Sequence, residues 1–126
     1  MSKKMIKKYP LKNPLQVKQL LIDLYHCQEG LNDETKLLAL ITEAAKKAGA
    51  HVLQASVHRF SPMGCSVLII LKETHISLHT WPEFGYAALD IFLCGEHLDP
   101  YVSWEYIQES LRPETYTLKE VLREIK

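Results

Sequence analysis

The residues best able to do chemistry crowd into one stretch, His58 to Gly95. It holds His58, His75 and His79, the cysteines Cys65 and Cys94, Ser66 at the head of an apolar run, and Glu83 beside a proline. Histidines four apart suit a shared metal ion when they lie on one helix face. His75 and His79 instead fall in an alternating segment, where four strand residues span about 13 Å, too far to share an ion. Recruiting His58 or His97 would need a fold that the pattern does not predict, so the expectation is no metal. Cys94 ends a strand just before Gly95 and could serve as a nucleophile, although a cysteine is ordinarily a small core side chain. Cys27 and Cys65 have only that ordinary role. His79, near Trp81-Pro82, reads equally as a structural or a working histidine. Ser66 could be a simple cap, Phe60 and Trp81 core residues, and Glu83 a solvated turn residue. The junction Lys72-Glu73-Thr74-His75 is a possible hairpin. An unbroken strand would place Thr74 on the face opposite His79, and a bend there would let the Thr74 hydroxyl turn towards the polar residues.

The elements that must position these groups are legible from periodicity. Val17 to Tyr25 reads as a strand, with Leu20, Ile22 and Leu24 on one face. Asn32 or Asp33 caps a helix whose apolar stripe is Leu37, Ile41, Ala44, Ala45 and Ala48, with Lys46 and Lys47 at its C-terminal dipole and Gly49 stopping it. Strands follow at His51 to Phe60, Ser66 to Leu71, His75 to Trp81 and Tyr86 to Cys94. The continuously apolar Ser66–Leu71 run suits a central strand. Asp99-Pro100 opens a second helix to about Leu111. Periodicity leaves Glu114 to Leu122 open between a last strand and a short helix. The sum is an α+β fold: a two-layer α/β sandwich, a mostly antiparallel sheet with two helices on one face. Aliphatic strand faces lie under the helices, and mixed faces are left to line a site or a subunit interface.

At 126 residues the chain is long enough for one domain with a real core. The expected organisation is a basic N-terminal tail over residues 1–16 and a single domain over 17–126. The tail gathers Lys3, Lys4, Lys7, Lys8 and Lys12, a pattern that suits a solvated segment. Over the whole chain 15 basic and 15 acidic residues balance to a net charge of zero, which favours neither nucleic acid nor an anionic membrane. No apolar run reaches the length of a membrane span, and the N-terminus lacks a signal peptide's apolar region. Three cysteines without a CxxC point to a reducing, cytoplasmic setting.

The central stretch closely resembles the prokaryotic S-adenosylmethionine decarboxylase proenzymes, the small pyruvoyl-dependent family. Their signature runs approximately H-x-F-x-P-x-G-x-S, then E-S-H-x-x-x-H-T-W-P-E-x-G-Y-A-A-x-D-x-F-x-C-G. Here it stands as His58-Arg59-Phe60 through Pro62, Gly64 and Ser66, then Glu73-Thr74-His75, His79-Thr80-Trp81-Pro82-Glu83, Gly85-Tyr86-Ala87-Ala88, Asp90, Phe92 and Cys94-Gly95. The resemblance implies a precursor that cuts itself between Glu73 and Thr74 and leaves a pyruvoyl-type group on the new N-terminus. That group forms a Schiff base with the substrate amine and withdraws electrons as carbon dioxide leaves, without metal or pyridoxal phosphate. It further implies that His79 assists processing, that Cys94 reprotonates the product and that Ser66 helps both. Phe60 would stack on adenine and Glu83 would hold the ribose. The implied role is the supply of the aminopropyl donor for spermidine in polyamine biosynthesis, by a homodimer with sites between protomers.

One position departs from the pattern: the precursor serine is Thr74. Completed processing of a threonine gives a 2-oxobutanoyl group in place of pyruvoyl. An unprocessed chain would instead be a pseudoenzyme that binds S-adenosylmethionine or regulates an active paralogue.

Overall fold

The computed structural model describes residues 15–28 and 30–125. In chain order the elements are β1 (Leu15–Cys27), α1 (Glu34–Lys47), β2 (Val52–Arg59), β3 (Cys65–Leu71), β4 (Thr74–Trp81), β5 (Tyr86–Leu93), α2 (Pro100–Leu111) and β6 (Pro113–Ile125). A short 3-10 turn, Pro82–Phe84, joins β4 to β5. The strands form one antiparallel sheet in the order β2-β3-β4-β5-β1-β6. Both helices cover the same face, α1 over β2, β3 and β4 and α2 over β5 and β1. This is the expected α+β sandwich, and the undecided last segment is a strand. β1 begins two residues inside the stretch read as a tail, whose residues 1–14 lie outside the described residues.

The alternation that predicted the strands also decides what they bury. Leu20, Ile22 and Leu24 of β1, Ile76 and Leu78 of β4, and Ala87, Leu89, Ile91 and Leu93 of β5 all point under the helices and are buried. Each large aliphatic among them contributes about 1.5–3 kcal/mol by leaving water. Asp33 caps α1 by accepting the Lys36 N–H, and Asp99 caps α2 by accepting the Tyr101 N–H. The stripe Leu37, Ile41, Ala44 and Ala45 is buried as expected.

β3 differs from its expectation. The unbroken apolar run Ser66–Leu71 suggested a central strand covered on both faces, yet β3 lies one strand in from the edge. Val67, Ile69 and Leu71 are buried, while Leu68 and Ile70 remain 41% and 37% exposed on the face away from the helices. Leu21 of β1 does the same at 39%. The run therefore reflects two apolar faces, of which the helices cover only one.

Candidate active site

Two groups of polar residues sit at opposite ends of β4, and the register of the sheet explains both. At one end Ser66 of β3 pairs with His79 of β4. Their side chains meet, Ser66 Oγ lying 2.7 Å from His79 Nδ1. They open into a cleft of about 340 Å³ lined also by Phe60, Met63, Trp81 and Glu83. Phe60 is nearly half exposed and leans edge-on against the His58 ring, with centroids 4.6 Å apart. Glu83 projects from the 3-10 turn, which ends on Gly85 at φ 64. That glycine is required, because an added Cβ would stand 3.2 Å from the His26 Cα.

The loop that carries Phe60 is held from outside by the segment before α1, through Leu31 and Asn32. Phe60 N–H donates to the Gly64 carbonyl at 2.8 Å, and Gly64 N–H donates to Asn32 Oδ1 at 2.9 Å. The buried Thr80 hydroxyl accepts the Cys65 N–H at 2.9 Å and donates to the Leu31 carbonyl at 2.7 Å. The start of β3 is thus tied to the loop before α1. Beside the cleft, Tyr86 stacks obliquely on Trp81 and Tyr25 and donates its hydroxyl to Asp23. That hydrogen bond, with burial second, pushes the Tyr86 phenol up to about 12.

At the other end of β4, Lys72 and Glu73 form the two-residue turn of the β3–β4 hairpin, so the suspected bend exists. Thr74 opens β4 opposite Leu93, and its hydroxyl donates to the Phe92 carbonyl. It has φ 121, a region that β-branched residues avoid and that costs about 1–3 kcal/mol. The carbonyl of Glu73 accepts the Cys94 N–H at 2.9 Å. Burial pushes the Glu73 carboxyl up, but hydrogen bonds from the His51 N–H and ring outweigh it and hold the group below the usual range.

The three cysteines are free and differ in setting. Burial pushes the Cys27 thiol up to about 11 and raises the buried Cys65 as well. Cys94 is half-buried and alone among them is hydrogen-bonded to the Glu73–Thr74 junction. Of the expected site residues, the structure brings Ser66, His79, Phe60 and Glu83 together in the cleft, and Glu73, Thr74 and Cys94 together at the hairpin. It does not bring the two sets together within one chain: Thr74 and His79 are five strand steps apart, about 16 Å. His75 and His79 are likewise apart. No cluster of three or more His, Cys, Asp or Glu side chains able to hold a metal occurs among the described residues. No helix among them is long and apolar enough to cross a membrane.

The S-adenosylmethionine decarboxylase family model matches residues 18–124. A protein of Synechococcus sp. named S-adenosylmethionine decarboxylase proenzyme is 44% identical over 108 residues, which is 85% of this chain and 84% of that one. One of the same name from Methanococcus maripaludis is 38% identical over 109 residues, 86% of this chain and 89% of that one. Among solved structures, the adenosylmethionine decarboxylase of Aquifex aeolicus matches with a TM-score of 0.83 and 28% identity, covering 91% of this chain and 95% of that one.

Proposed function

This chain belongs to the S-adenosylmethionine decarboxylase family, and from that membership and the geometry of its hairpin we propose that it is a self-processing decarboxylase of S-adenosylmethionine. The observation that carries the proposal is the contact at the expected cut: the Glu73 carbonyl already accepts the Cys94 N–H. A backbone donor on that oxygen polarises the carbonyl and stabilises the charge that develops when it is attacked. One such donor contributes on the order of 3 kcal/mol.

Processing starts when the Thr74 hydroxyl attacks the Glu73 carbonyl carbon. The C–N bond breaks, an ester forms on Thr74 Oγ1, and the hydroxyl proton ends on the freed amine. Loss of the Thr74 α-proton then expels the Glu73 carboxylate. Tautomerisation and hydrolysis release ammonia and leave a 2-oxobutanoyl group at the head of the C-terminal fragment. His79, hydrogen-bonded to Ser66, is the proton carrier for these steps. The positive φ of Thr74 assists, because strain stored at the scissile residue is available when the peptide bond breaks.

In decarboxylation the keto-acyl group supplies an electron-withdrawing carbonyl to the substrate amine, so that carbon dioxide can depart. Phe60 provides the exposed aromatic surface for adenine, and the Glu83 carboxylate holds the ribose hydroxyls. Cys94, adjoining the junction, returns the proton to the substrate carbon, with Ser66 aiding it. No step assigned here calls for a metal or pyridoxal phosphate.

The 16 Å between Thr74 and His79 implies that a working site takes them from two chains. Two copies facing each other across their open sheets, related by a two-fold axis perpendicular to β4, run their β4 strands in opposite directions. Thr74 of one copy then approaches His79 of the other, and Leu21, Leu68 and Ile70 are covered. The test is release of carbon dioxide from carboxyl-labelled S-adenosylmethionine, with ornithine and arginine as competitors. Turnover of the adenosyl substrate is expected, and Cys94→Ala should lower it about 100-fold or more while the chain is still cut. An intact chain that binds S-adenosylmethionine without turnover would make it the pseudoenzyme.

A further inference from the structure

The tip of the β3–β4 hairpin is held by a residue from outside it. His51, between α1 and β2, donates its backbone N–H to Glu73 Oε1 at 3.0 Å. Its ring Nδ1 lies 2.6 Å from Glu73 Oε2. Its carbonyl accepts the Lys72 N–H at 2.9 Å. One residue therefore grips both turn positions and both oxygens of one carboxylate. The Glu73 side chain is only 9% exposed, whereas the His51 side chain is 65% exposed. The carboxylate is covered and the imidazole stands over it from the solvent side.

The grip acts on the reacting bond. Glu73 supplies the acyl half of the Glu73–Thr74 peptide, and its carbonyl is fixed by the Cys94 N–H while its side chain is fixed by His51. Thr74 supplies the amine half and sits at φ 121. A β-branched residue keeps such a conformation only where its surroundings over-determine it. Free rotation of Glu73 would let the junction relax and turn the carbonyl away from the hydroxyl that attacks it. We propose that His51 is a positioning residue for self-cleavage: through the Glu73 carboxylate it holds the scissile peptide in the strained geometry from which Thr74 reacts. This rests on the self-cleavage reading given above.

The experiment follows cleavage of refolded precursor in wild type, His51→Ala, His51→Asn and Glu73→Gln, each also made with Thr74→Ser so that a slow threonine does not mask the effect. Removal of the imidazole should slow cleavage on the order of 10- to 100-fold, as small misplacements of reacting groups do. Asparagine, whose amide can donate to the same carboxylate oxygen, should recover most of the rate, and Glu73→Gln should resemble His51→Ala. Because the grip is needed only before the bond breaks, KM and kcat per keto group should be unchanged in fully cleaved His51→Ala. Cleavage of His51→Ala at the wild-type rate, or equal slowing by alanine and asparagine, overturns the inference. So does a parallel loss of kcat in the cleaved protein, which would mean general loosening. If neither the threonine nor the serine series is cut, the self-cleavage reading itself falls, and the inference with it.

Discussion

At the scale of single residues the proposed self-cleavage turns on the Thr74 hydroxyl. A secondary alcohol on a β-branched side chain has fewer rotamers from which to attack than the primary alcohol of serine. Thr74→Ser should therefore accelerate cleavage about tenfold or more. Thr74→Val keeps the branched shape and removes the nucleophile, so that chain should stay whole on a denaturing gel. Equal rates for serine and threonine would show that the hydroxyl's freedom does not limit processing. The dense motif singled out Ser66, His79, Phe60, Glu83 and Cys94 by their order and spacing, and the structure places the first four at one cleft and Cys94 at the hairpin. His51 and Asn32 were not legible as site residues. Each acts through one hydrogen bond or a pair of them to a residue 22 or 32 positions away, and no local pattern encodes a contact of that range.

At the scale of elements, period-two alternation and cap chemistry carried most of the fold. β1, β4 and β5 bury the aliphatic faces expected of them; α2 starts at the expected Asp99, and α1 at Asp33, one of the two caps the sequence left open. Two points escaped for physical reasons. β6 is largely exposed and, among the described residues, paired only with β1, so its side chains carry little of the burial signal that separates strand from helix. β3 is apolar on both faces, which sequence alone reads as burial within one chain. The end of β5 offers a test of how its aromatic cluster is held. The Tyr86 phenol has its value raised from 10.0 to about 12 by its hydrogen bond to Asp23 and by burial. A raised value means that the folded state favours the protonated phenol. This contribution to stability is present in full below pH 10 and is lost as pH rises through about 12. Tyr86→Phe should cost about 1 kcal/mol at neutral pH. Its Tm should then fall less steeply than that of the wild type between pH 10 and 12. Parallel falls would mean that the Tyr86–Asp23 bond does not contribute.

At the scale of the whole molecule the open sheet face and the divided site point to the same assembly. If Thr74 of one copy works with His79 of the other, Thr74→Val and His79→Ala should complement each other. In a mixed dimer one of the two sites keeps both an intact threonine and an intact histidine. The His79→Ala chain should then be cut, although neither variant is cut alone. Failure of the mixed protein to cleave, with heterodimers demonstrated by a tag, would place both groups in one chain and contradict the 16 Å separation estimated along β4.

The most direct measurement is the intact mass of the purified wild-type protein. Self-cleavage at Glu73–Thr74 gives two species, residues 1–73 and residues 74–126, with the second lighter by one ammonia than a fragment beginning in free threonine. Treatment with a hydrazine reagent should shift only that fragment, by one adduct. A single uncut mass that persists over days, or a C-terminal fragment with an unmodified threonine, would rule out self-cleavage to a keto-acyl group.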